Sequence, residues 1–405
     1  YPFRYGLQTI VIPGPADYGL DTSEWLLSQS LKEAGYRTAI VGKWHLGHAD
    51  KKFWPKQRGF DHQYGAIIGE LDYFTHSDAG VVDWFRNNEP VREEGYTTQL
   101  IGAEAVKFIN AQDAKSPFYL YLTFNAPHTP YQAPKEYVDR FASIEDPTRR
   151  TYAAMISCLD DEIGRVIAAL DAKGLRGNTL VIFHSDNGGT RNAMFAGQMS
   201  DLSKIKIPCD NGPYRGGKGS LFEGGCRVAA CANWPGRIKP QAVDGLIHAV
   251  DLYPTLASLA GASTAKCKPL DGVNVWTTVA EGKPSPRTEV VYSVEPFRGA
   301  VRQGDWKLIW SALIPTSVEL YNLADDPYET KNLASAHPER VAAMQARLNA
   351  LGGEAAKPLA LIYVARVGLA HGKPRLATGE SSGEVVTDEH GPSITDEGVG
   401  EVERP

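Results

Sequence analysis

Thr179-Leu-Val-Ile-Phe-His-Ser-Asp-Asn-Gly-Gly189 is an apolar run that stops at a carboxylate, a carboxamide and two glycines. Thr179 to Phe183 is rich in β-branched and aromatic residues, too short for a helix and bounded by turn residues. It therefore predicts a strand buried on both faces. Asp186 and Asn187 then fall just past the carboxyl end of that strand, where ligands bind in an open parallel α/β sheet. Side by side on a glycine turn, their oxygens suit a hard divalent cation such as Ca2+. Taken alone, the same residues also describe an ordinary Asn-Gly turn.

Two other strands end in a comparable way. Arg37-Thr-Ala-Ile-Val41 is a short buried strand that runs into Gly42-Lys-Trp-His-Leu-Gly47, so Lys43 and His45 share a side if the backbone stays extended. Phe118 to Phe124 runs into Asn125-Ala-Pro-His-Thr-Pro130, where two prolines break the strand and fix the loop that carries His128. Helices are expected between them: Thr22 to Gly35, Thr97 to Asp113 and Thr148 to Lys173 each show an apolar stripe at helical spacing. Helix and strand in alternation indicate a mostly parallel central sheet flanked by helices.

A fourth loop is Gly212-Pro-Tyr-Arg-Gly-Gly-Lys-Gly-Ser-Leu-Phe-Glu-Gly-Gly225, which presents Lys218 on a glycine-rich backbone whose free amides can face an oxyanion. Its GxxxxGK spacing is not a nucleotide-binding loop, because Gly219 stands where Ser or Thr would bind Mg2+ and no buried strand immediately precedes it. Lys43, His45, His128, Lys218 and the Asp186-Asn187 pair together would make a pocket for a tetrahedral oxyanion, with a proton donor for a departing oxygen. The aromatic-rich stretch His48 to Pro90 is assigned no chemistry.

The 405 residues carry a net charge of -6 with 42% hydrophobic and 22% charged residues, an ordinary globular composition that argues against a nucleic-acid partner. No apolar run reaches the length of a membrane span. Five cysteines show neither CxxC pairing nor metal-finger spacing; a Cys226 to Cys231 bridge is conceivable, and scattered buried thiols are the simpler expectation. Arg227 to Trp234 predicts a further strand and Asp251 to Gly261 a helix. Beyond Pro284 the texture changes to alternating strands, Gly299 to Trp310 and Val318 to Leu323, followed by a helix from Pro338 to Leu351. The expected organisation is an α/β domain over 1–283, a small C-terminal antiparallel sheet plus helix over 284–357, and a tail without fixed structure over 358–405.

Tyr36 to Gly47, Asn125-Ala-Pro-His128, Ser185-Asp-Asn-Gly188, Gly217 to Gly225, Asp251-Leu-Tyr-Pro-Thr-Leu256 and Glu319 to Glu329 resemble the successive signatures of type I sulfatases, in a flavour similar to arylsulfatase B. The resemblance extends from Tyr1 to about Leu351 and implies an alkaline-phosphatase-like fold. It also implies hydrolysis of a sulfate ester, on a sulfated sugar or aryl compound, by a formylglycine hydrate beside Ca2+. By matching position, Asp186 and Asn187 would ligate calcium and Lys43 and Lys218 would hold sulfate oxygens. His45 would contact the formylglycine, and His128 would act as acid at the leaving oxygen. The family implies a periplasmic, secreted or lysosomal setting.

The chain departs from that pattern in one place that matters. The Cys/Ser-x-Pro/Ala-x-Arg motif that becomes formylglycine is not in these 405 residues, and neither is the upstream aspartate pair that completes the calcium site. In the family a stretch like Tyr1 to Gln8 follows that motif closely, so the expectation is a chain cut just downstream of it, with an incomplete calcium site and little or no turnover. The competing readings are a non-catalytic oxyanion or sulfated-glycan binder, and a phosphatase or phosphonate hydrolase of the same superfamily.

Overall fold

The computed structural model describes residues 1–78, 80–191 and 207–371. Its order is α1 (Leu27–Glu33), β1 (Arg37–Gly42), β2 (His62–Gly65), β3 (Ser77–Asp78), β4 (Val81–Val82), β5 (Phe85–Arg86), β6 (Glu89–Pro90), α2 (Thr97–Asn110), β7 (Phe118–Thr123), α3 (Lys135–Asp139), α4 (Pro147–Ala172), β8 (Val181–His184), α5 (Glu223–Cys226), β9 (Ala230–Asn233), α6 (Leu252–Ala260), α7 (Trp276–Glu281), β10 (Glu289–Val294), β11 (Arg298–Gln303), β12 (Trp306–Ser311), β13 (Ser317–Asn322), α8 (Pro338–Gly353) and α9 (Leu359–His371). Residues Tyr1–Val364 form one compact unit, and the described residues from Ala365 to His371 fall outside it.

β1 is the best-buried strand and lies between two parallel partners, β2 and β7. Its alternation serves two cores at once. Ile40 joins Trp44, Trp54, Phe60 and Ile67 on one face, while Val41 joins Tyr64, Leu71, Trp84 and Ile101 on the other. β5 and β6 extend this sheet antiparallel beyond β2. α2 and α4 cover it through Ala105, Ile109, Val166 and Leu170, against Leu120 and Leu122 of β7. Helix α4 is capped by the Asp146 side chain, which accepts from the Arg149 amide, and begins with a proline.

β8, expected to be buried on both faces, is not. β8 pairs antiparallel with β9 in a two-stranded sheet of its own, and Phe183 is 42% exposed. A run of β-branched and aromatic residues shows that a strand forms; which neighbours cover it is a tertiary matter. Val181 nevertheless packs on the same α2 and α4 layer as Leu120 and Leu122 of β7. The first helix is also shorter than expected, beginning at Leu27 with no side-chain cap.

The C-terminal sheet has the order β10-β11-β12-β13, all antiparallel. One face packs Val301, Leu308 and Leu320 on Met344, Leu348 and Leu351 of α8, with Tyr1 and Phe3 in the same cluster. The other packs Ala300, Ile309 and Tyr321 on Leu221, beside Lys218 in the chain. Leu359–His371 is helical where a structureless tail from 358 was expected; its dense apolar run Leu359-Ala-Leu-Ile362 is ample for a helix, and 372–405 lies outside the described residues. All five cysteines are free, so no Cys226 to Cys231 bridge forms, and Cys231 is exposed rather than buried. No helix among the described residues is long and apolar enough to cross a membrane.

Candidate active site

Three consecutive amides leave β1 already committed. Lys43 N–H donates to the Thr123 carbonyl at the end of β7 (2.8 Å), Trp44 N–H to Ala66 and His45 N–H to Ile67 beyond the end of β2. Thr123 Oγ1 returns a bond to the Lys43 carbonyl at 2.7 Å. His45 adopts φ +57°, so the extended backbone that would have aligned Lys43 with His45 is lost at His45 itself. Its ring is fixed instead by Nε2–H donating to the Ile12 carbonyl at 3.0 Å, leaving Nδ1 as the acceptor.

The Lys43 side chain runs over Gly69, where a Cβ would overlap Lys43 Cγ and where φ is +90°. That loop is held by Asp83, whose carboxylate accepts from the amides of Ile67, Ile68 and Gly69 at 2.9, 2.9 and 2.7 Å. Asn125 donates to the Gly69 carbonyl at 2.7 Å. The stretch His48 to Pro90 therefore positions the site. Nothing in its spacing pointed to Asp83, because the bonds that matter are to backbone amides.

His128 sits in the turn after β7, its carbonyl receiving the Tyr73 hydroxyl at 2.9 Å. Its Nδ1–H donates to the Thr129 carbonyl at 2.9 Å, so Nε2 is an acceptor, and the Lys218 ammonium donates to it at 2.9 Å. Burial lowers the His128 pKa to about 4, with the Lys218 charge adding in the same direction. His45 is likewise held down to about 4 by burial and then by Lys43. Lys43 is lowered by burial and by Lys218, against the pull of Asp186. The charges of Lys43, Lys218 and Asp186 all act on His128, and those of Lys43 and His128 on His45.

The Asp186 and Lys218 loops meet backbone to backbone. Gly188 N–H donates to the Gly225 carbonyl at 3.0 Å and Lys218 N–H to that of Gly189 at 3.2 Å. A Cβ on Gly188 would overlap the Gly224 carbonyl oxygen, which is why the turn after β8 needs glycine. Asn211 ties the two loops: its Oδ1 accepts from Gly189 N–H at 2.8 Å and its Nδ2 donates to the Gly189 and Gly216 carbonyls at 2.9 and 3.0 Å. Asn187 lines a cavity of about 300 Å3 with Ser185, Asn211, Tyr214 and Arg227. Its amide nitrogen donates to the Gly188 carbonyl, and Asp186 Oδ1 accepts the Asn187 amide.

The sulfatase family profile matches residues 5–262. The chain belongs to the sulfatase family. A second profile, the N-sulphoglucosamine sulphohydrolase C-terminal region, matches residues 217–353 of this sulfatase. Arylsulfatase J of Mus musculus is 34% identical over 79% of the chain and 53% of its own length, and N-acetylgalactosamine-6-sulfatase of Rattus norvegicus is 35% identical over 65% and 50%. The chain thus spans about half the length of these curated relatives. Among solved structures, Ps i-CgsB in complex with k-i-k-neocarrahexaose superposes with a TM-score of 0.78 at 29% identity, covering 88% of this chain and 80% of the other. The PsFucS1 sulfatase from Pseudoalteromonas sp. gives 0.68 at 26%, covering 86% and 77%.

The residues present do not by themselves fit a calcium ion. Asp186 and Asn187 are two side-chain donors for a cation that takes six to eight oxygens, and no group of three His, Cys, Asp or Glu side chains among the described residues is placed to hold a metal.

Proposed function

We propose that this sulfatase chain carries the anion-binding and proton-handling part of a site for sulfuric ester hydrolysis. Lys43 and Lys218 would hold sulfate oxygens, and His128 would serve the leaving oxygen. The observation that supports the reading is the Lys218 Nζ to His128 Nε2 contact of 2.9 Å, with Lys43 near enough for its charge to act on His128. A sulfate oxygen offers Lys218 a charged acceptor in place of a neutral imidazole, a stronger hydrogen bond. Lys218 then turns to the anion, and the negative charge beside His128 raises its affinity for a proton. The imidazole that is neutral in the empty site thus becomes the acid at the departing oxygen. His45, with Nε2–H committed to Ile12, offers Nδ1 to whatever attacks sulfur.

A sulfated sugar is the favoured substrate class, since relatives named as N-acetylgalactosamine-6-sulfatase and a neighbour holding a neocarrahexaose share this fold. The 405 residues contain no formylglycine motif, so the expected behaviour is sulfate binding without turnover. Calorimetry with inorganic sulfate and a p-nitrophenyl sulfate assay test both halves. Undetectable sulfate binding, or affinity unchanged by Lys43→Ala and Lys218→Ala, would sink the binding claim; saturable aryl sulfate hydrolysis would sink the second.

A further inference from the structure

Lys218 is flanked by Gly216, Gly217 and Gly219, with φ +75° at Gly216 and +83° at Gly219. A backbone this permissive does not fix where the ammonium stands, so its position must be imposed from outside the loop. Part of the outside hold is the Asp186 loop, through Lys218 N–H to Gly189 and Asn211 to Gly216; the rest is the C-terminal sheet, which grips the loop at three points around Lys218.

Before it, Arg215 Nη1 donates to Glu319 Oε2 at 2.9 Å and to the Tyr321 hydroxyl at 2.7 Å, both on β13. Directly after it, the Gly219 carbonyl accepts from Arg298 Nη1 of β11 at 2.7 Å. Five residues on, Glu223 enters a fully buried charge cluster. Lys307 of β12 places Nζ 2.8 Å from Glu223 Oε1 and 2.9 Å from Glu329 Oε1, and Glu329 Oε2 accepts the Glu223 amide at 2.6 Å. Tyr292 of β10 donates to the same Glu223 oxygen at 2.8 Å. None of these three charged side chains exceeds 2% exposure. Such a cluster is a poor source of net stability, because desolvating three charges offsets most of their attraction; what it supplies is a fixed geometry.

On the reading of the site given above, we infer that Lys307, Glu223, Glu329 and Arg298 are positioning residues. They set the Lys218 ammonium against His128, and so make the C-terminal sheet a working part of the anion site. This gives a role to the Glu319 to Glu329 stretch, which no step of the chemistry uses directly.

The test is Arg298→Gln, at the rim of the sheet, because Lys307→Met strips two buried carboxylates of their counter-ion and threatens folding. Circular dichroism confirms the fold, calorimetry measures inorganic sulfate binding, and histidine NMR follows the His128 titration midpoint. The expected result for Arg298→Gln is sulfate affinity about ten-fold weaker, matching the loss of one charge-assisted hydrogen bond, with partial rescue by Arg298→Lys. The His128 midpoint should also rise toward its ordinary range as Lys218 withdraws. Wild-type affinity and an unmoved midpoint in a folded Arg298→Gln variant would overturn the inference. If the parent chain binds no sulfate, the site reading fails, while the midpoint still decides whether Arg298 positions Lys218.

Discussion

Replacing Lys218 by alanine removes the cation nearest to His128 and leaves the cleft otherwise intact, so the imidazole reports its electrostatics directly. Two unit charges at the observed 2.9 Å interact by about 1.4 kcal/mol if the dielectric is that of water, roughly one pH unit of titration midpoint. At an effective dielectric of ~20 the same charge would account for about four pH units, more than the whole displacement of His128 from 6.5 to about 4. Burial is the larger cause of that displacement, so the water-like figure is the consistent one. Lys218→Ala should therefore move His128 up by about one pH unit, to near 5, and not to its free value. Carbon-13 and nitrogen-15 histidine NMR across pH 3.5–8 reads the midpoint. An unchanged midpoint would mean that the 2.9 Å contact is not populated in solution. A rise to about 6.5 would mean that burial contributes nothing, and either result refutes the reasoning.

Gly69→Ala puts a Cβ into the Lys43 side chain at a φ of +90° and should weaken sulfate binding at least about ten-fold while costing roughly 1–3 kcal/mol of stability, as read by calorimetry and urea melts. Arg287→Met leaves Asp251 as an unpaired, fully buried carboxylate at the start of α6 and should destabilise by about 3–5 kcal/mol in chemical denaturation; a loss under about 1 kcal/mol would contradict the burial. His45, His128 and His248 have native pKa values lowered to about 4, so between the unfolded value of 6.5 and that figure the unfolded chain binds protons that the native imidazoles refuse. Stability should be fully present above pH 6.5 and fall as the pH drops through this window, by up to about 3 kcal/mol per histidine; urea midpoints equal at pH 7.5 and 4.5 would count against it. Calcium added to this chain should bind no tighter than roughly 10⁻⁴ to 10⁻³ M by calorimetry, since Asp186 and Asn187 offer only two side-chain donors; micromolar binding would show further ligands.

Most of the candidate site was legible because its residues lie where strands stop. Gly42-Lys-Trp-His, Asn125-Ala-Pro-His and Ser185-Asp-Asn-Gly each follow a short apolar run, and a strand's carboxyl end fixes where the next few residues must emerge. Local pattern therefore singled out Lys43, His45, His128, Asp186, Asn187 and Lys218 as candidates, and the motifs those residues sit in carried the family. What it could not find were partners whose only signature is distance in space. Asp83 holds three amides of the loop under Lys43, Asn211 laces the Asp186 loop to the Lys218 loop, and Lys307 meets Glu223 across 84 positions of chain. The same limit explains β8, whose composition announced a strand but whose antiparallel pairing with β9 and half-open face depend on neighbours far along the chain. Sequence alone determined which residues carry charge, which stretches extend and where they break, since those follow from side-chain chemistry and backbone preference within a few residues. Only the tertiary structure decided that His128 rests as a neutral acceptor of Lys218, and that a C-terminal sheet holds that lysine in place, because both depend on burial and on contacts between segments about a hundred residues apart.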